Sequence, residues 1–147
     1  MISMDANILL YSVNSASPWN AAAYAWLTSV QEEEDVAVSE LILAEFYGLL
    51  RNPAVLKYPL PASEAVDVIQ SYRTHPRWRL IGFPMESRPL HEVLWQRARA
   101  KDFAFRKLYD TRSALTMTSQ GVTEFATVNV KDFEGQGFRK VWNPLVP

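Results

Sequence analysis

Ile2-Ser3-Met4-Asp5-Ala6-Asn7-Ile8-Leu9-Leu10-Tyr11 is an apolar run that breaks at an acid and then resumes. Ile2 to Met4 reads as a short buried strand and Ile8 to Tyr11 as part of a helix, with Asp5 at the turn between them. The same grammar recurs along the chain. Val36-Ala37-Val38 is a second short strand, and Ser39 caps a helix carrying Leu41, Ile42, Glu45, Phe46, Leu49 and Leu50. Arg79-Leu80-Ile81, Phe125-Ala126-Thr127-Val128 and Lys140-Val141-Trp142 complete the strands. Helices are predicted to start at Ser17-Pro18, at Ser63 and at Ser87, and a last long one runs from Tyr109 to Ser119. Gly121 stands where a helix-terminating glycine belongs. Strands alternating with helices predict an α/β fold, a three-layer α/β/α sandwich around a mainly parallel sheet of four or five strands.

A chain of 147 residues is read as a single domain, 1–147, able to bury roughly 70% of its unfolded surface. There is no Cys, which excludes disulfides, zinc–thiolate sites and thiol nucleophiles. No secretory leader pattern opens the sequence, and no apolar run approaches the ~20 residues of a bilayer span, so a cytoplasmic protein with no membrane partner is expected. The formal net charge of -1 neither favours nor excludes nucleic acid, because an acidic site offsets basic residues elsewhere. The basic clusters around Arg73 to Arg79 and Arg97 to Lys107 read as solvated surface, and Glu32 to Asp35 as a solvated helix end.

The chemistry lies in acids far apart in sequence but alike in position. Asp5, Glu45, Asp110 and Asp132 each fall at or near the edge of a strand or the start of a helix. In a parallel α/β fold these places converge at the carboxyl edge of the sheet. Glu45 shares a helix face with Leu41 and Leu49, which predicts a carboxylate directed at the core; a salt bridge to Arg112 is the bland explanation. Asp110 alone reads as a helix cap, and Thr127, Asn129 and Asp132 alone as a turn after a strand. Gathered together, such carboxylates repel one another and are stabilised by a hard divalent cation. All-oxygen donors suit Mg²⁺ or Mn²⁺, and one ion, or two at about 4 Å, would polarise a phosphate and activate water. Asn7, Ser39 and Thr127 are placed to orient the carboxylates, and Arg112 to contact phosphate. Neither His75 nor His91 lies near these acids in sequence, and Trp78, between Arg77 and Arg79, is the candidate for stacking on a base.

Asp5-x-Asn7, Ser39 with Glu45 six residues later, Tyr109-Asp110 and Thr127-x-Asn129-x-x-Asp132-Phe133 resemble, in order and over nearly the whole chain, the motifs of PIN-domain ribonucleases. The likeness is to the VapC-type toxins of bacterial toxin–antitoxin pairs. Leu50-Arg51-Asn52-Pro53 and Val141-Trp142-Asn143-Pro144-Leu145 resemble one toxin subgroup. The resemblance implies a PIN-like fold and metal-dependent hydrolysis of RNA phosphodiesters to a 5′-phosphate and a 3′-hydroxyl. It also implies a cognate antitoxin that inserts a basic side chain among the acids, and a homodimer, for which the helices Ala21 to Val30 and Ser63 to Tyr72 are candidate surfaces. It gives Asp5, Glu45 and Asp110 as the core ligands. Where many members carry Asp, this chain has Asn129, which offers a metal an uncharged oxygen, and Asp132 becomes the fourth acid. The alternatives are a receiver-like signalling module and a non-catalytic acidic binding module of similar fold. The receiver needs paired acids after the first strand, where Asp5 stands alone.

Overall fold

The computed structural model describes residues 1–147. In chain order the elements are β1 (Ile2–Met4), α1 (Ala6–Val13), α2 (Asn20–Val30), β2 (Ala37–Ser39), α3 (Glu40–Leu50), α4 (Ala62–Arg73), β3 (Arg79–Ile81), α5 (Ser87–Ala98), α6 (Lys107–Ser119), β4 (Glu124–Ala126), α7 (Val130–Phe133) and β5 (Lys140–Trp142). Every strand pairing is parallel, with β1 beside β4, β4 beside β5 and β2 beside β3. A single parallel bridge from Ile2 to Val36 joins the two pieces. The strand order is therefore β3-β2-β1-β4-β5.

That order reverses direction at β1. The chain steps outward from β1 to β2 to β3, then crosses back to β4 on the other side of β1. Right-handed crossovers carry the helices of the outward steps to one face and those of the return to the other. The packing follows: α1 rests on α2 and α3, and α3 on α4, while α5 and α7 pack on α6. Both faces of the sheet are covered, so its strands are apolar on both sides. Met4, Val38, Phe125 and Ala126 are fully buried in one core cluster with Ile8, Leu9, Phe46 and Met117.

Local boundaries differ from the sequence expectation where capping chemistry was overread. Ser17 does not cap α2; its hydroxyl accepts from Trp19 N–H in a preceding turn, and the helix begins at Asn20, whose amide donates to the carbonyls of Tyr11 and Ser12. Ser63 lies inside α4, which begins at Ala62 behind Pro61. The last long helix begins at Lys107, two residues before the expected Tyr109, so Asp110 belongs to its first turn and is not its cap. The glycine stop is as expected. Gly121 has φ 95°, Val122 N–H donates to the Met117 carbonyl and Gly121 N–H to the Thr118 carbonyl, closing α6 before β4. Gly121→Ala places a side chain in that left-handed turn and is expected to cost about 1–2 kcal/mol, read as a lowered thermal midpoint.

Candidate active site

Asp5 sits where the strand order reverses, the place where open parallel sheets bind ligands. It follows β1 and caps α1, accepting the Ala6 N–H at 2.8 Å through Oδ1. Its own N–H donates to the Ala126 carbonyl at the end of β4. The other carboxylate oxygen, Oδ2, accepts the Thr127 hydroxyl at 2.7 Å, and Thr127 Oγ1 in turn accepts the Asn129 N–H at 3.0 Å. Thr127 is fully buried and Asp5 is 4% exposed, so these bonds hold a carboxylate at the seam between β1 and β4 almost out of water. Thr127→Val removes the donor and keeps the shape. It is expected to destabilise the fold by about 1–3 kcal/mol, because a buried carboxylate oxygen loses its partner; thermal unfolding checks this.

The other acids approach Asp5 from three elements. Glu45 comes from α3, Asp110 from the first turn of α6 and Asp132 from α7. Burial pushes the Asp5 carboxyl above its ordinary range, against the pull of Thr127 and Ala6, and Asp132 adds to the rise. Asp110 is raised to about 6, first by burial, then by Asp5 and Asp132, with Lys107 opposing. Glu45 is raised to about 7 by desolvation and then by the charges of Asp5 and Asp110. The charge of Asp5 therefore bears on both Glu45 and Asp110, and that of Asp132 on Asp5 and Asp110.

Glu45 corrects the sequence reading. The buried stripe of α3 is Ile42, Leu43, Phe46 and Leu50, and Glu45 lies outside it on the solvent-facing side. It lines an open cleft with Leu41, Ala44, Tyr109, Asp110, Arg112 and Ser113. The cleft walls desolvate a side chain that still reaches water. No ion pair joins it to Arg112, which takes part in none of the salt bridges of the molecule.

The remaining candidates fall as follows. Ser39 is buried and caps α3, accepting the Leu41 N–H at 3.2 Å, and so fixes the helix that carries Glu45. Asn7 is half-buried within α1, and its side chain makes no hydrogen bond to the carboxylates it is expected to orient. Asn129 is exposed at the start of α7 and its side chain caps nothing there. His75 serves a turn, its Nδ1 accepting from the N–H groups of Arg77 and Trp78, and His91 Nδ1 bonds to the Ser87 carbonyl on α5. Trp78 is buried, its indole donating to the Val30 carbonyl, so it cannot stack on a base.

One residue escaped the sequence reading. Gln136 donates to the buried Thr111 hydroxyl of α6 at 3.2 Å and accepts from Arg97 of α5 at 3.1 Å, tying the loop after Asp132 to the helix that carries Asp110. The signal was present: Gln136 stands between Gly135 and Gly137, both at positive φ, in a turn shaped to present it.

The donor set fits a hard cation. It is oxygen-only, and the carboxyls of Asp5, Glu45 and Asp110 ionise less readily than usual because of burial and neighbouring acids, a cost that a divalent ion offsets. No group of three of these acids stands in metal-holding range as a ready-made cage. Mg²⁺ does not need one, since it keeps several waters and takes one or two carboxylates beside substrate phosphates.

The raised carboxyls fix a pH dependence. Their folded values lie above their unfolded ones, so their contribution to stability is complete below the ordinary carboxylate range. It is lost as pH rises through about 6 for Asp110 and about 7 for Glu45. Without divalent ions, the thermal midpoint is expected to fall between pH 5 and pH 8, and Glu45→Gln to flatten that fall, moderated by solvent screening at the cleft.

No family model matches the chain. Ribonuclease VapC24 of Mycobacterium tuberculosis is 44% identical over 145 residues, covering 99% of this chain and 97% of the relative. Among solved structures, VapC20 of Mycobacterium tuberculosis, a sarcin–ricin-loop-cleaving toxin, superposes with a TM-score of 0.68 at 19% identity, over 94% of this chain and 96% of its own. VapBC2 of Rickettsia felis, bound to a fragment of its promoter DNA, gives a TM-score of 0.66 at 19% identity, over 97% and 98% of the two chains.

Proposed function

Since the chain belongs to the VapC ribonuclease family, we propose that it is the toxin of a toxin–antitoxin pair, an endoribonuclease dependent on Mg²⁺ or Mn²⁺. The observation that carries the reading is that Glu45 and Asp110, remote in sequence, line one cleft, with Asp5, at the reversal of strand order, near enough to raise the pKa of both and Asp132 near enough to raise that of Asp110. Asp5, Glu45 and Asp110 would hold the ion, with Asp132 as the fourth acid and Asn129 as an uncharged oxygen donor at the rim. When bound, a divalent ion supplies a Lewis acid to a phosphoryl oxygen and to water. Thr127 keeps Asp5 aimed, Ser39 fixes the helix bearing Glu45, and Arg112 offers a cation beside the acids to a substrate phosphate.

RNA is the substrate in this reading, and a cognate antitoxin restrains the enzyme. A homodimer is the assembly, with α2 and α4 as its candidate surfaces; Tyr24 and Val66 on those helices are exposed. No helix is long and apolar enough to cross a membrane, and the cytoplasm is the proposed compartment.

The test is cleavage of end-labelled RNA by purified protein with Mn²⁺. Cleavage that stops on chelation and is lost in Asp110→Asn supports the reading. Cleavage that survives both would place the chemistry elsewhere.

A further inference from the structure

Tyr109 is 65% exposed, although it directly precedes Asp110 in the first turn of α6. The guanidinium carbon of Arg112 stands 5.4 Å from the centre of its ring, and both residues line the cleft that holds Glu45 and Asp110. Arg112 is a cation with unused capacity. Its Nε is buried without a hydrogen-bond partner, and no carboxylate lies within ion-pairing distance of it. The chain just before Tyr109 is basic and aromatic, with Arg106 and Lys107 exposed and Phe105 85% exposed.

We infer that Tyr109 and Arg112 form a nucleotide subsite beside the acids, the Tyr109 ring stacking on an unpaired base and Arg112 bonding the adjoining phosphate. This rests on the ribonuclease reading and narrows its substrate class. A ring that needs an open base face cannot be served by a base inside an A-form duplex, whose faces are covered by stacking. The subsite therefore selects RNA whose base next to the cleaved bond is unstacked, as in a loop, a bulge or a single strand. The cation over the ring favours the same ligand, because a nucleotide carries a π-face and an anion a few bonds apart. An aromatic side chain of a protein partner would use the ring and leave the Arg112 donors without an anion.

The experiment uses a single-stranded RNA carrying 2-aminopurine, with the Asp5→Asn background to prevent its consumption. With Tyr109, or with Tyr109→Phe, binding is expected to quench the fluorescent base. Tyr109→Leu is expected to abolish quenching and to weaken binding by roughly ten- to a hundredfold. Arg112→Gln is expected to reduce the salt dependence of binding by about one phosphate contact. Sequestering the same strand in a duplex should remove the change in fluorescence on adding protein, because the paired base is already stacked. Circular dichroism of the variants separates these effects from misfolding, since the Tyr109 ring is mostly in solvent. Unchanged quenching and affinity in Tyr109→Leu, in a protein whose parent cleaves RNA, would overturn the subsite and leave the ribonuclease reading standing. Loss of antitoxin binding without loss of RNA binding would assign the ring to the protein interface and equally overturn it. Failure of the parent to cleave any RNA with Mn²⁺ would remove the ribonuclease reading and the subsite together.

Discussion

Asp5→Asn is expected to slow RNA cleavage by about 10²–10³-fold while leaving the protein at least as stable as before. The two halves of this result come from different properties of one side chain. The rate falls because an amide offers a divalent ion one neutral oxygen in place of a charged carboxylate, the one whose charge bears on both Glu45 and Asp110. The fold survives because the amide keeps most of the local bonding. Its oxygen still accepts the Ala6 N–H and caps α1, and its NH₂ group can donate to Thr127 Oγ1, reversing the present bond. It also no longer buries a charge that burial and Asp132 both oppose. Cleavage rate and thermal midpoint, measured on one preparation, check both halves. A variant that cleaves at the parent rate removes Asp5 from the chemistry. One that melts far below the parent makes the carboxylate a structural requirement, against the pattern of its bonds.

The second large effect is expected from the divalent ion itself. At a concentration about a hundred times its dissociation constant, an ion bound only by the folded state stabilises it by about 2.7 kcal/mol. For a chain of this length that is a rise of about 5–10 °C in thermal midpoint. The rise should be larger at pH 8 than at pH 5, because at the lower pH Glu45 and Asp110 hold protons that the ion must displace. Melting curves with Mn²⁺ at the two pH values test this. The same rise in Glu45→Gln/Asp110→Asn would show that the ion binds at another place.

Much of this architecture is legible in single residues. The strand–acid–helix reading of Ile2 to Tyr11, the cap at Ser39 and the glycine stop at Gly121 are decided by local bonds, and the structure contains each. One-dimensional pattern does not fix direction in space. Leu41, Glu45 and Leu49 share a helix face by spacing, yet the core lies about one position around, on Ile42, Phe46 and Leu50. Periodicity identifies a stripe but not which edge of it meets the sheet. Trp78 looks like a surface ring because Arg77 and Arg79 flank it. Instead the flanking arginines face outward, Arg77 pairing with Glu32 and Glu34, and the indole turns in. The start of α6 is hidden in the sequence because no capping side chain marks it: Arg106 holds the cap position. The approach of the acids to one another depends on the strand order β3-β2-β1-β4-β5, which hydropathy does not encode. The ordered family motifs supplied that expectation where local chemistry could not. In sequence Tyr109 is only the neighbour of Asp110, and its exposure is set by the three-dimensional fold.

The most direct measurement is a Mn²⁺ titration of the protein, following free ion by electron paramagnetic resonance, on the parent and on Asp5→Asn, Asp110→Asn and Arg88→Gln. Saturable uptake by the parent and by Arg88→Gln, whose side chain pairs with Glu92 on α5, lost in both aspartate variants, is the predicted result. Equal uptake by all four proteins would contradict it: these carboxylates would then crowd together for a reason other than holding a metal.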